Sequence, residues 1–297
     1  MEYLIKGNYL MLKIDENFAS MTLEEIFHYF CLSKKAIHLL KQYKQYFLNN
    51  QYVPMNTIVK QGDWLKISAF ETGLDFTPQP FSLDIVYEDD FLLVVNKPCH
   101  VIIYPEDKTG SNTLCNYVAN YYLETDQYYP IRPIHRLDKD TTGLVLFCKC
   151  AFLQPLLDSM LSKKEIARYY LALCQGIIDH DIDINLPIGR DRHTNKMRIS
   201  TSGKQAITHV KVLEKNLAGN YTLIECQLET GRKHQIRVHL QAISHPLIGD
   251  RLYGKASKLI NRTALHGYKL VFKHPILNKQ LQITAPLPKD FERLKNN

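Results

Sequence analysis

Asp138 stands between His135-Arg136 and Thr141-Thr142-Gly143, directly before the apolar run Leu144-Val145-Leu146-Phe147. A carboxylate set among basic and hydroxyl donors and anchored by a buried strand is held in place rather than solvated. Such a group can act as nucleophile or base, provided a fixed cation keeps it ionised where water is excluded. A second chemically able stretch, Thr230-Gly231-Arg232-Lys233-His234-Gln235-Ile236-Arg237, offers that cation. A helix over 233–242 places His234, Arg237 and Gln241 on one face and Ile236, Leu240 and Ile243 on the other, so Arg237 points away from the core.

Both stretches resemble the signatures of the RluA/RluD-type family of pseudouridine synthases. The family carries His-Arg-Leu-Asp followed by a Thr-Ser-Gly-like turn, with Thr142 here in place of the usual serine. The second signature continues into His245-Pro246-Leu247-Ile248-Gly249-Asp250 and Tyr253-Gly254, and the order and spacing of the two make the match specific. The resemblance implies that Asp138 is the catalytic carboxylate, that Arg237 is its ion-pair partner, and that Arg136 assists flipping of the target base. It also aligns Tyr170, in Arg168-Tyr169-Tyr170-Leu171-Ala172, with the family's active-site tyrosine, a phenol able to stack on uracil and relay a proton. His135, Thr141, Gly143, His234 and Gln235 are expected to support these groups structurally. Cys99-His100 and Tyr104-Pro105 depart from the family, which follows Lys97-Pro98 with a glycine and then His-Pro.

The elements that must position these residues are legible in part. Thr22-Leu23-Glu24-Glu25 is a capping box for a short helix, and Ser33 caps a second helix running to Phe47, with Ile37, Leu40, Tyr43 and Phe47 inward and Lys34 and Lys41 outward. A hairpin-like stretch with an Asn49-Asn50 turn follows. This pattern resembles an S4-type RNA-binding module, which makes Lys34 and Lys41 candidate RNA contacts. Residues 70–82, with Gly73, Pro78 and Pro80 and no apolar period, read as linker. Beyond them come strands over 85–95, 167–175, 206–215 and 221–230 and helices over 112–124 and 151–163, without a regular βαβ repeat.

Hydrophobic content of 45% and charged content of 23% describe an ordinary globular protein of 297 residues. No apolar run reaches the length of a membrane span and the start lacks a signal-peptide pattern, so the cytoplasm is the expected compartment. Seven cysteines show no ligand spacing and read as packed thiols; no metal site and no cofactor are expected. The net charge of +7 is concentrated locally: Arg190, Arg192, Lys196, Arg198 and Lys204 face only Asp191 between residues 189 and 204. Lys196-Met197-Arg198 and Gly203-Lys204 also match a family segment, which makes Arg190, Lys196, Arg198 and Lys204 candidate phosphate contacts.

The expected architecture is α+β: a mixed, mainly antiparallel central sheet with flanking helices over 84–297, preceded by an S4-like α/β module over 1–75 and a linker over 76–83. The expected activity is cofactor-free isomerisation of uridine to pseudouridine in structured RNA, ribosomal rather than transfer RNA, by a monomer. A non-enzymatic RNA-binding factor for ribosome assembly and a hydrolase of N-glycosides are the alternatives; retention of Asp138, Tyr170 and Arg237 disfavours the first, and free uracil among the products would mark the second.

Overall fold

The computed structural model describes residues 1–105, 110–194 and 196–295. Its N-terminal part contains β1 (Tyr3–Lys6), β2 (Tyr9–Lys13), α1 (Leu23–Tyr29), α2 (Lys34–Gln42), β3 (Tyr46–Leu48) and β4 (Trp64–Ser68). The four strands form one sheet in the order β1-β2-β4-β3. Leu10, Leu12, Leu65 and Ile67 alternate inward along β2 and β4 and meet Ile26, Phe27 and Phe30 beneath the helices. Thr22 closes the capping box on α1, and the Ser33 side chain accepts from Ala36 N at the start of α2.

One local expectation fails here and one element went unpredicted. The second helix stops at Gln42, because Lys44 turns left-handed (φ +49°) and Tyr46–Leu48 pairs with β4 instead. Cross-strand pairing and burial of Tyr46 outweigh the helical spacing of Tyr43 and Phe47, and Tyr43 is left exposed. The β1–β2 hairpin was not foreseen, although Gly7-Asn8 between two short alternating runs is a turn signal.

The rest of the chain comprises β5 (Asp84–Glu88), β6 (Leu92–Lys97), α3 (Leu114–Glu124), β7 (Arg132–Pro133), β8 (Thr142–Cys148), α4 (Gln154–Ser162), β9 (Ala167–Gln175), β10 (Ile182–Asn185), β11 (Ile188–Arg190), β12 (Met197–Ile199), β13 (Ile207–Asn216), β14 (Tyr221–Leu228), α5 (Gln235–Ala242), β15 (Leu265–Lys273), β16 (Gln280–Thr284) and α6 (Lys289–Lys295). A ten-stranded sheet runs β10-β13-β14-β9-β15-β8-β6-β5, with β16 beside β15 and β7 beside β8. Its described pairings are antiparallel except β15 with β8, which is the mixed, mainly antiparallel sheet that was expected.

That parallel junction sets the site. It joins the two halves of the sheet at His266↔Thr142 and Gly267↔Gly143, immediately after the Asp138 loop. Gly143 has φ +121°, and a Cβ there would come within 2.2 Å of the Gly267 carbonyl oxygen, so only glycine fits. Every residue of β8 is buried, because both faces of the strand are covered. Leu144, Leu146 and Cys148 enter the core that α4 and the N-terminal module share, while Val145 and Phe147 enter the core beneath α3 and α5.

The segment read as linker is packed chain. Phe70 lies 6.3 Å from Phe91, Phe81 stacks on Tyr117 at 4.3 Å, and Gln79 N donates to Asn116 O. Phe152, just ahead of α4, meets Phe30 at 4.7 Å and Phe27 at 6.2 Å. The N-terminal sheet and helices therefore dock on the ten-stranded sheet through an aromatic contact that composition could not reveal. Helix α4 is shorter than the expected 151–163; its first turn begins at Gln154-Pro155, since proline suits a first turn and not an interior.

Two histidines beside the junction are held neutral. Burial holds His135 at about 3 and His266 at about 4, against an ordinary value of 6.5. Their folded values lie below the unfolded ones, so the unfolded chain alone gains these protons as pH falls below 6.5. Stability should decline from there toward pH 4, by at most about 1.4 kcal/mol per pH unit for each histidine. Urea midpoints measured between pH 7 and pH 5 should fall less steeply for His266→Gln than for the parent protein; equal slopes would contradict this assignment.

Candidate active site

The Asp138 loop is fastened from beneath. Lys97, fully buried at the end of β6, donates from Nζ to the carbonyls of Pro98 and Val101 at 2.8 Å and of Lys139 at 3.2 Å. Burial lowers its ammonium to about 8. Thr141 N donates to Asp138 O, and His135 Nε2 accepts from Leu146 N at 3.3 Å, which makes His135 a structural brace as expected from its type. Together these bonds present the Asp138 carboxylate to a cavity of about 600 Å³ with its side chain 21% exposed.

Arg237 meets Asp138 there. Its Nη1 donates to Asp138 Oδ2 at 3.2 Å, and its Nε and Nη2 grip Asp250 Oδ2 and Oδ1 at 2.7 and 2.8 Å. Asp250 is completely buried and also accepts from the backbone N–H groups of Leu252 and Tyr253. Burial alone would raise the Asp250 carboxyl, but the guanidinium and the two amides outweigh it and hold the carboxyl below its ordinary range. The guanidinium in turn is held charged by Asp250 first and Asp138 second, against the opposing effect of burial. A forked cation locked on one carboxylate thus aims its remaining nitrogen at the other.

The helix geometry behind this differs from the sequence reading. His234 is left-handed (φ +57°) and precedes α5, and residues 235–240 are all buried. Ile236, Leu240 and Ile243 pack into the apolar core as the helical spacing implied, and Arg237 faces away from them into the buried, charge-lined cavity. His234 still reaches the site: its Nε2 lies 3.8 Å from Asp138 Oδ1, and its Nδ1 pairs with Tyr253 OH at 2.8 Å. Burial lowers its imidazole below the ordinary value, which favours a neutral ring beside the carboxylate. Gln235 locks the preceding loop, accepting from Thr230 Oγ1 and Arg232 N and donating to Ile207 O and Thr208 Oγ1.

Tyr170 lines the cavity from β9, and its phenol, raised chiefly by burial, stays protonated. The hydroxyl has no hydrogen-bond partner among the described residues, and a Cβ at Gly267 would press its ring at 3.3 Å. Arg136 is exposed on the cavity wall. Lys34, Lys41, Arg190, Lys196, Arg198 and Lys204 lie outside it. Lys34 and Lys41 are exposed on α2, whereas Arg190, Lys196, Arg198 and Lys204 are grouped on the β11–β12 hairpin and the loop after it. That hairpin is tied to the site, since Met197 N donates to Tyr253 OH and Lys196 Nζ to Leu252 O.

Sequence reading gave Asp250 and Tyr253 no role, although both stood in a quoted motif; an acid directly after Leu247-Ile248-Gly249 was the available signal. Away from the cavity, Cys99, His100 and Asp140 bring possible metal-ligand atoms within 4.8 Å of one another. His100 Nδ1 and Asp140 Oδ1 already pair at 2.9 Å, and His100 has the φ of +63° that suits the family's glycine. That hydrogen bond ties the turn to the loop after Asp138.

A model of the RNA pseudouridylate synthase family matches residues 91–242, which hold Asp138, Tyr170 and Arg237. The chain belongs to this family. A second model, for the N-terminal domain of the ribosomal pseudouridine synthase RluD, matches residues 10–65 of the synthase. An uncharacterized RNA pseudouridine synthase of Bacillus subtilis, YhcT, is 40% identical over 265 residues that span 88% of each chain. Ribosomal large subunit pseudouridine synthase D of Neisseria meningitidis is 41% identical over 239 residues, 75% of the synthase and 63% of that protein. Among solved structures, human RNA Pseudouridylate Synthase Domain Containing 1 superimposes with a TM-score of 0.59 at 29% identity, covering 71% of the synthase and 86% of the human chain. No helix among the described residues is long and apolar enough to cross a membrane.

Proposed function

We propose that the synthase converts uridines of large-subunit ribosomal RNA to pseudouridine, with Asp138 as the reacting carboxylate. The ion pair of Asp138 with Arg237 at 3.2 Å, inside a cavity large enough for a nucleotide, is the observation that carries this reading. The N1–C1′ bond of the target uridine breaks while Asp138 acts as nucleophile or base at the ribose; the uracil turns in place, and C5 bonds to C1′. The proton on C5 is then lost and N1 regains one, so atoms balance without a cofactor or an external reactant.

The roles of the other groups follow from their places. Arg237 offers its guanidinium to the Asp138 carboxylate as water leaves, and Asp250 keeps Arg237 aimed. Tyr170 stacks on the detached uracil, and its protonated hydroxyl can relay the C5 proton, handing its own proton to solvent as it takes the new one so that the phenol ends neutral. Arg136 fills the gap left by the flipped base. The basic hairpin with Arg190, Lys196, Arg198 and Lys204, and the α2 lysines Lys34 and Lys41, hold phosphates of the surrounding RNA without reading sequence. We place the catalytic unit at 84–297 and the RNA-binding module at 1–75, in a monomer that works in the cytoplasm and needs no metal.

Pseudouridine mapping by carbodiimide-blocked primer extension tests the substrate. A deletion strain should lose one or a few stops in large-subunit ribosomal RNA and regain them with the wild-type gene. A profile identical to the parent strain, or losses confined to transfer RNA, would refute the assignment.

A further inference from the structure

We infer that Arg168 is a binding site, within the catalytic cavity, for a phosphate group that flanks the flipped uridine; this rests on the reading above and deepens it. Arg168 is the second residue of β9 and lies two before Tyr170, so both side chains leave the same face of the strand. It is 8% exposed and lines the cavity. Its Nε is sealed without a hydrogen-bond partner, and its guanidinium forms no hydrogen bond or ion pair among the described residues.

The other two deeply buried arginines are treated differently by the fold. Arg237 holds Asp250 and Asp138, and Arg262 holds both oxygens of Asp290 together with the carbonyls of Thr263 and Leu265. The carboxylates that share the cavity with Arg168 are engaged elsewhere or out of reach. Asp138 pairs with Arg237, Glu229 pairs with Lys164 and His209, and Asp158 makes no ion pair with it. Space is nonetheless reserved for the guanidinium: a Cβ at Gly231 would stand 2.9 Å from its Nη1, so a glycine in the Thr230–Arg232 loop admits it.

An unneutralised buried cation is costly, and a fold that keeps one at a substrate cavity calls for an anion from the substrate. A phosphodiester matches the fork of a guanidinium and neutralises it, whereas a uracil carbonyl would satisfy one N–H and leave the charge. Residues i and i+2 of a strand stand about 7 Å apart, a span that a ribose can bridge between a base on Tyr170 and a phosphate on Arg168. Arg168 would thereby add affinity for the flipped nucleotide without touching the reacting atoms.

The variants Arg168→Met and Arg168→Lys test this in the full chain. Uridine 5′-monophosphate or uridine 3′-monophosphate should raise the melting temperature of the wild-type protein more than uridine does. That difference should vanish in Arg168→Met and persist in part in Arg168→Lys. Arg168→Met itself should melt at or above the wild type, because it removes a charge that has no partner. With an unmodified large-subunit ribosomal RNA transcript, its KM should rise about tenfold to a hundredfold while kcat stays within about twofold. Equal responses to nucleotide and nucleoside in wild type and Arg168→Met, or an unchanged KM, would overturn the inference, as would a lowered melting temperature with unchanged KM. A transcript that the wild type does not modify counts against the proposed substrate alone, and the nucleotide comparison still decides the role of Arg168.

Discussion

Asp138→Asn should lower single-turnover pseudouridine formation by at least about 10⁴-fold, the scale on which loss of a reacting nucleophile acts, and leave the fold intact. The amide keeps the size of the side chain and can still meet Arg237, but it cannot attack the ribose or accept its developing charge. Stability should change by no more than about 1 kcal/mol, because Asp138 is partly exposed, and Arg237 keeps its two-pronged bond to Asp250. Affinity for RNA should be unchanged or slightly higher, since a negative charge near a polyanion is removed. A variant that lost RNA binding in proportion to activity would make Asp138 a binding group instead.

Arg237→Met should be the most damaging replacement to stability as well as to rate. It strands Asp250, fully buried, without its cation, and breaking one side of such a buried pair costs about 3 to 5 kcal/mol. It also leaves Asp138 without the donor at 3.2 Å, which should cost a further 10²- to 10³-fold or so in turnover of the protein that remains folded. The double variant Arg237→Met/Asp250→Leu separates the two effects: stability should return while activity does not. A single variant that melts like the wild type would show that the Asp250 contact is not formed in solution. Arg237→Lys should fall between, since one ammonium cannot bridge two carboxylates with the same geometry.

How much of this was readable in advance depends on whether the signal was local. The Asp138 motif carried its own context, with donors on one side and a fully buried strand on the other, and β8 and β9 formed where the apolar runs placed them. The Thr22 capping box and the α+β class were legible for the same reason. What failed was set by partners distant in sequence. Helix α2 ended early because Tyr46 found Ile67 across the sheet. The linker was packed because Phe81 found Tyr117 and Phe70 found Phe91.

Within the site the division is the same. Asp138, Tyr170 and Arg237 line one cavity, with Arg237 facing away from the Ile236 and Leu240 core, but its clamp on the buried acid at 250 was not foreseen. Nothing in the spacing of Arg237 and Asp250 distinguishes a buried clamp from two solvated charges. The same holds for Arg168, which reads as an ordinary strand cation until its sealed Nε is seen to lack an acceptor among the described residues. Isolated basic residues such as Lys34 and Lys204 remain on the surface, where only RNA can reveal what they contact.

The decisive measurement uses large-subunit ribosomal RNA transcribed with 5-tritiated uridine, incubated with excess wild-type or Asp138→Asn protein and assayed for both released tritium and product nucleosides. The wild type should release tritium and form pseudouridine in equal amounts, with no free uracil, and Asp138→Asn should do neither. Tritium release by Asp138→Asn at the wild-type rate, or free uracil in place of pseudouridine, would contradict a carboxylate at position 138 working on a uridine that stays in the cavity.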